Sequence, residues 1–112
     1  MPAKQDVVSP GQRDFIKWLE VAANGAVDSE ETLERRHFAE ALYIRRSAWT
    51  NWQAETRLMS MGSAKLFCLH YGLNWKKVVK QAIKCTGEQR WIDELQAEDA
   101  RIKAKEAKNA LS

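Results

Sequence analysis

The stretch FAEALYIRRSAWTNWQ, residues 38–53, decides how this chain is read. Phe38, Ala41 and Leu42 recur at helical spacing, and Tyr43 and Ile44 interrupt the period. A second short helix is expected from about Arg46 to Ala54, with Trp49 and Trp52 three apart on its inward face. Two helices joined by so few residues must cross at a fixed angle, so the crossing needs apolar side chains and one small residue where the helices touch. Phe38, Leu42, Ile44, Trp49 and Trp52 supply the apolar positions, and Ala39 supplies the small one. The remaining face of the second helix is polar: Arg45, Arg46, Ser47, Thr50 and Asn51.

Those side chains suit the edges of bases. Arginine binds guanine with two parallel hydrogen bonds, asparagine does the same with adenine, and serine or threonine pairs with either type. A helix with an uncrowded polar face fits the major groove of duplex DNA. Arg35 and Arg36, just upstream, are candidates to hold phosphates, as are Arg57, Lys76 and Lys80. The net charge is only +3, but its distribution is uneven: no Asp or Glu occurs from Thr56 to Gly87, where Arg57, Lys65, Lys76, Lys77, Lys80 and Lys84 all fall. Lys76, Lys80 and Lys84 stack at i, i+4, a repulsive arrangement that is easier to understand with an anion alongside. Plainer roles exist for the same residues: Arg45 and Arg46 as solvated charge, Ser47 as a helix N-cap, and the lysine stripe as a solvated face.

Working outward, residues 1–8 read as a loose tail, 9–85 as the main domain and 86–112 as an added helical segment. Ser9-Pro10-Gly11-Gln12 reads as a helix start, with Ser9 as N-cap and Gln12 closing a capping box. Phe15, Trp18, Leu19, Ala22 and Ala23 line that helix, which Asn24-Gly25 is expected to end. Asp28 is placed to cap the next helix, with Glu31 three residues on. Residues 56–60 read as irregular. A fourth helix carries Met61, Ala64, Phe67, Cys68 and Tyr71 and stops at Gly72; a fifth, capped by Asn74, turns Trp75, Val78, Val79 and Ile83 inward. Thr86-Gly87-Glu88-Gln89 opens a last helix, in which Trp91, Ile92 and Leu95 form a small apolar cluster without an evident home in five helices. They are therefore the expected dimerisation contact. Beyond Gln96 the sequence is alanine and charge, a solvated helix or frayed end.

Hydrophobic residues make up 45% of the 112 and charged residues 29%, with 5 Gly and 2 Pro, which favours a single all-α domain. No apolar leader opens the chain and no run is long enough to span a bilayer, so a cytoplasmic setting with Cys68 and Cys85 as free thiols is expected. Cys68 and His70 stand two apart, on different sides of a helix, and His37 adds no ligand spacing, so no metal is assigned. No Ser-His-Asp, paired-carboxylate or Gly-rich phosphate pattern stands out, so no catalytic residue and no cofactor are assigned.

The run FAEALYIRRSAWTNWQ resembles the helix-turn-helix of the lambda-repressor/Cro-type family, and SMGSAKLFCLHYGLNWKKVV resembles that family's fourth and fifth helices, with Gly72-Leu73 at the bend between them. The resemblance covers about residues 33–80. It implies a five-helix DNA-binding domain, here with an additional C-terminal helix. It further implies a transcriptional regulator, a repressor of phage or prophage type, that binds a palindromic double-stranded operator as a homodimer. By the same resemblance Arg46, Ser47, Thr50 and Asn51 match base-contacting positions and Arg35 a phosphate-contacting one. Three departures stand out: Tyr43 where the turn usually has glycine, Trp49 where a smaller residue is usual, and a long connection from Gly25 to Thr32. They leave room for an alternative, a protein-binding adaptor or inhibitor, antitoxin-like or phage-encoded, on the same scaffold.

Overall fold

The computed structural model describes residues 8–28 and 30–111, so most of the expected N-terminal tail lies outside it. Among the described residues there are six helices and no strand: α1 (Gln12–Ala26), α2 (Arg35–Ala41), α3 (Arg46–Gln53), α4 (Met61–Tyr71), α5 (Trp75–Thr86) and α6 (Gln89–Leu111). The all-α expectation holds. No described helix is long and apolar enough to cross a membrane.

α1 is the spine, packing against both α3 and α5. Its start differs from the expected capping box. Gly11 is the N-cap, and a turn brings the Gln12 N–H to Ser9 O at 3.0 Å. A Cβ on Gly11 would sit 1.7 Å from the carbonyl oxygen of Cys85, so only glycine lets the head of α1 lie against the tail of α5. Gln12 faces inward at 1% exposure and bonds three distant backbone groups instead of closing a box.

α1 also runs past Asn24-Gly25, because Asn24 turns its side chain to a different task. Its Nδ2 donates to Glu20 O at 2.9 Å, and its Oδ1 accepts the Leu33 N–H at 2.6 Å. Leu33 thereby closes the connection between α1 and α2 and packs on the core. Asp28 and Glu31 fall within this connection, so they do not open α2. That helix begins seven residues after Asp28, where His37 Nδ1 accepts the Glu34 N–H at 2.8 Å, the reciprocal arm of a capping box.

Both ends of α3 follow one design. Ile44 N–H reaches Ala39 O (3.0 Å) and Tyr43 N–H reaches Glu40 O (3.1 Å), the double closure that ends a helix with one left-handed residue. After α3, Thr56 N–H reaches Asn51 O (3.0 Å) and Glu55 N–H reaches Trp52 O (3.2 Å). The left-handed residues are Tyr43 (φ 57°) and Glu55 (φ 62°), conformations that cost a side-chain-bearing residue roughly 1–2 kcal/mol. α4 and α5 end more cheaply, on Gly72 and Gly87. Their starts are capped by Ser60, which accepts the Ser63 N–H, and by Asn74, which accepts the Lys77 N–H.

The core is aromatic. Phe38 stacks on Trp49 (ring centroids 5.1 Å apart), and Trp49 stacks on Phe67 (5.5 Å). On the other side of α1, Phe15 meets the edge of Trp91 at 5.3 Å, and Trp75 lies 6.0 Å from Trp91. Trp91 is completely buried, and this corrects its expected role in dimerisation: the head of α6 belongs to the core of its own chain. Leu95 also packs on that core, and Ile92 is half-buried. Glu94 Oε2 reinforces the docking, accepting from Trp75 Nε1 (2.7 Å) and Arg101 Nη2 (2.6 Å). Burial works to raise the Glu94 pKa, but these bonds and the Arg101 charge outweigh it and hold the carboxyl below its ordinary value. From Lys103 to Ala110 α6 continues as a helix with every residue exposed.

Candidate functional site

α3 has two faces of opposite character. Trp49 and Trp52, the first fully buried and the second nearly so, form the inner one. The bonds behind them run to α1. Glu20 Oε2 accepts both Trp49 Nε1 (2.8 Å) and Gln53 Nε2 (2.7 Å), Arg13 Nε donates to Gln53 O (3.1 Å), and Gln12 Nε2 donates to Trp52 O (3.0 Å). The same Gln12 Nε2 reaches Arg57 O (2.8 Å), and its Oε1 accepts the Met59 N–H (3.0 Å). One glutamine thus ties the end of α3 and the segment that follows it to the head of α1. Glu55 adds a return contact, its Oε1 accepting the Arg13 N–H at 3.1 Å in the first turn of α1, where a carboxylate meets the positive end of the helix dipole.

With the inner face so held, the outer face carries the five residues singled out in the sequence. Arg45, Arg46 and Ser47 are exposed, and Thr50 and Asn51 are half-buried. Arg45 is the N-cap and makes no side-chain cap, so Ser47, already inside the first turn, does not take the capping role considered for it. Thr50 Oγ1 donates to Arg46 O at 3.0 Å, which leaves its lone pairs for a ligand donor. The Thr56 hydroxyl lies 3.2 Å from Asn51 O and 3.3 Å from Asn51 Oδ1, so its one proton is shared between the backbone carbonyl and the side-chain amide. The short helix thus presents two guanidiniums, two hydroxyls and an amide within two turns.

The expected phosphate-binding residues are arranged less uniformly. Arg35, exposed in the first turn of α2, lines a groove of about 420 Å³ together with Lys17, Glu20 and Gln53. Lys17, on α1, had no signal in the sequence, because its position beside the end of α3 follows only from the crossing of the two helices. Arg36 lies 3.7 Å from Glu34, an exposed and therefore weak pair. Arg57 is exposed behind the end of α3. Lys76 is already engaged: its Nζ is 2.7 Å from Asp99 Oδ1 on α6. The Lys76 hydrogen bond, with the charges of Lys76 and Lys80, holds the Asp99 carboxyl below its usual range against the opposing effect of desolvation. The anion that the lysine stripe called for is thus partly supplied by the chain itself, and Lys80, exposed on the same stripe, is the freer cation.

Elsewhere the chemistry is quiet. Burial pushes the Cys68 thiol up to about 12, which leaves it an inert core side chain. His37 and His70 line an open groove of about 400 Å³ with Glu40 and Tyr71, and no three metal-binding side chains gather anywhere among the described residues. α4 exposes Leu66 and Leu69, at 40% and 74%, on the side away from its buried Ala64, Phe67 and Cys68. In comparisons with protein-family models, curated proteins and solved structures, nothing matches this chain.

Proposed function

We propose that this chain is a double-stranded DNA-binding transcriptional regulator that reads base edges with the outer face of α3. The observation carrying this reading is the division of α3 itself. Its tryptophan face is bound to α1 by side-chain hydrogen bonds, while Arg45, Arg46 and Ser47 are exposed and the half-buried Thr50 and Asn51 lie on the same outer side. In this reading α2, the Tyr43 turn and α3 form a helix-turn-helix, α3 lies in the major groove, and Arg35, Arg57 and Lys80 hold backbone phosphates. Two copies on a palindromic site would double these contacts, and their mutual contact would not involve Trp91, which is buried within its own chain.

The test begins with a labelled duplex pool of random sequence and a salt titration. The wild type should bind with a steep dependence of log K on log salt, and selection from the pool should recover a preferred site. On that site Arg46→Ala and Asn51→Ala should each lose about 1–3 kcal/mol, whereas Lys80→Ala should weaken binding to every sequence alike and lower the salt slope. Unchanged affinity of the Arg46→Ala, Asn51→Ala double variant would end the readout proposal. The second reading, a protein-binding adaptor or inhibitor, draws on the exposed Leu66 and Leu69. It is favoured instead if the chain elutes from immobilised duplex DNA at low salt.

A further inference from the structure

Of the two non-glycine residues with left-handed backbone, one has its strain explained within the molecule and the other does not. Glu55 and Tyr43 occupy equivalent positions, each closing the end of a short helix by the same pair of backbone bonds. At Glu55 the side chain gains a bond: its carboxylate accepts the Arg13 N–H in the first turn of α1. Replacing it by glycine would relieve the backbone and lose that bond. Tyr43 has no such compensation. Its side chain is 91% exposed, the most exposed of the large hydrophobic residues, and it makes no hydrogen bond or ring contact among the described residues. A site that glycine would fill at lower cost holds instead a large aromatic directed into solvent.

The neighbours of Tyr43 indicate what it faces. Ile44 is packed against the core and anchors the turn. Tyr43 and Arg45 flank that anchor, and both project outward, with Arg46 following in the first turn of α3. A phenol and two guanidiniums leave the same short segment, and no acid lies between Glu40 and Glu55. A phenolic O–H is a hydrogen-bond donor, and its ring is a large surface that costs little rotamer freedom when it is ordered. This combination suits an anionic oxygen with apolar carbon beside it, as a phosphate between two sugars has.

We propose that Tyr43 is a DNA-contacting residue whose hydroxyl donates to a backbone phosphate beside the α3 face, and that the strained turn is retained because binding uses the side chain. The inference rests on the DNA reading above and adds to it a contact at a position where the turn itself would prefer glycine. A residue held in sparsely populated backbone geometry with no internal compensation is where such a contact is expected.

Three proteins test it: wild type, Tyr43→Gly and Tyr43→Phe, each measured by thermal unfolding and by fluorescence anisotropy with a labelled random-sequence duplex at fixed salt. Tyr43→Gly should melt higher, by about 4–8 °C, because the backbone strain is relieved and almost no packing is lost. It should nevertheless bind the duplex about tenfold more weakly, and Tyr43→Phe, which keeps the strain and loses the hydroxyl, should show most of that loss with an unchanged melting temperature. If the wild type binds and Tyr43→Gly binds equally well, the Tyr43 contact is refuted and the DNA reading stands. If Tyr43→Gly melts lower, the ring packs within the molecule and the strain argument is wrong. If the wild type binds no duplex at low salt, the DNA reading fails and this contact with it, and an exposed ring on a strained turn is then a contact for protein.

Discussion

Replacing Gln12 tests the architecture behind α3 most directly. Its side chain is buried and makes three hydrogen bonds over sequence separations of 40 to 47 residues, to Trp52 O, Arg57 O and the Met59 N–H. These bonds are unequal. The bond to Arg57 O is only part-buried, so water can replace it more readily than the buried bond to Trp52 O. Trp52 O keeps a second donor, the Glu55 N–H at 3.2 Å. Met59, fully buried, has no visible replacement for its N–H. One orphaned buried donor costs about 1–3 kcal/mol, and the lost bond and small cavity add about 1 kcal/mol, so Gln12→Ala should lose about 2–4 kcal/mol. For a domain whose whole stability is about 5–15 kcal/mol that is a large fraction, readable as a lower midpoint in urea with an unchanged slope. Gln12→Glu separates hydrogen bonding from shape. An ionised carboxylate still accepts from Met59 but can donate to neither carbonyl, so at pH 7 it should be worse than alanine. Burial beside carbonyls raises the folded-state pKa of the new acid, so its stability relative to wild type should recover as pH falls and the protonated form donates again. A Gln12→Ala loss below about 0.5 kcal/mol, the scale of an ordinary surface change, would refute the reasoning.

Three further outcomes follow from the packing. Trp91→Ala should cost about 3–5 kcal/mol as a core truncation, whereas ending the chain after Arg101 should leave the cooperative unfolding midpoint within about 1 kcal/mol of wild type, as calorimetry would register; a reversed order would mean that the head of α6 is not part of the core. Glu94, with a folded pKa below its unfolded value, contributes stability that is present above the ordinary carboxylate range and lost as pH falls through the depressed one. Glu94→Gln should therefore be less stable at pH 7 and should lose less than wild type between pH 7 and pH 3 in denaturant titrations; parallel curves would contradict this. In the native protein at pH 8 a thiol reagent should label the half-buried Cys85 and spare Cys68 until denaturant is added, and mass mapping that finds Cys68 modified first would overturn the assignment.

Much of the helix content was legible because local rules decide it. Gly72 and Asn74 act where they stand, and the spacing of Trp49 and Trp52 gives the inner face of α3 without reference to anything distant; the Ser60 cap falls in the stretch 56–60 read only as irregular. The misreadings share a cause. Gln12, Asn24 and Trp91 each carry a local signal, for a capping box, a helix stop and a free apolar cluster, and each is claimed by a partner many residues away. Asp28 and Glu31 looked like a helix start only because the tie from Asn24 to Leu33 has no sequence signature. The candidate site divides the same way. The outward residues of α3 follow from periodicity, whereas the clamp through Glu20 and Gln12 and the placement of Lys17 depend on how α1 crosses α3. The pairing of Lys76 with Asp99 likewise needed the path of α6.

The way α3 is fastened has one more consequence. Its attachment uses an indole N–H, two backbone carbonyls and the Gln53 amide, none of them among the five outward residues. Holding and exposing are thus assigned to separate atoms of one short segment. The exposed Arg45, Arg46 and Ser47 can be rewritten together while the mounting stays as it is, so a library varied at those three positions should keep its fold, whereas the half-buried Thr50 and Asn51 also bond within the chain. If the proposed DNA reading holds, the scaffold would act as an exchangeable holder, and new specificities would follow from substituting the insert.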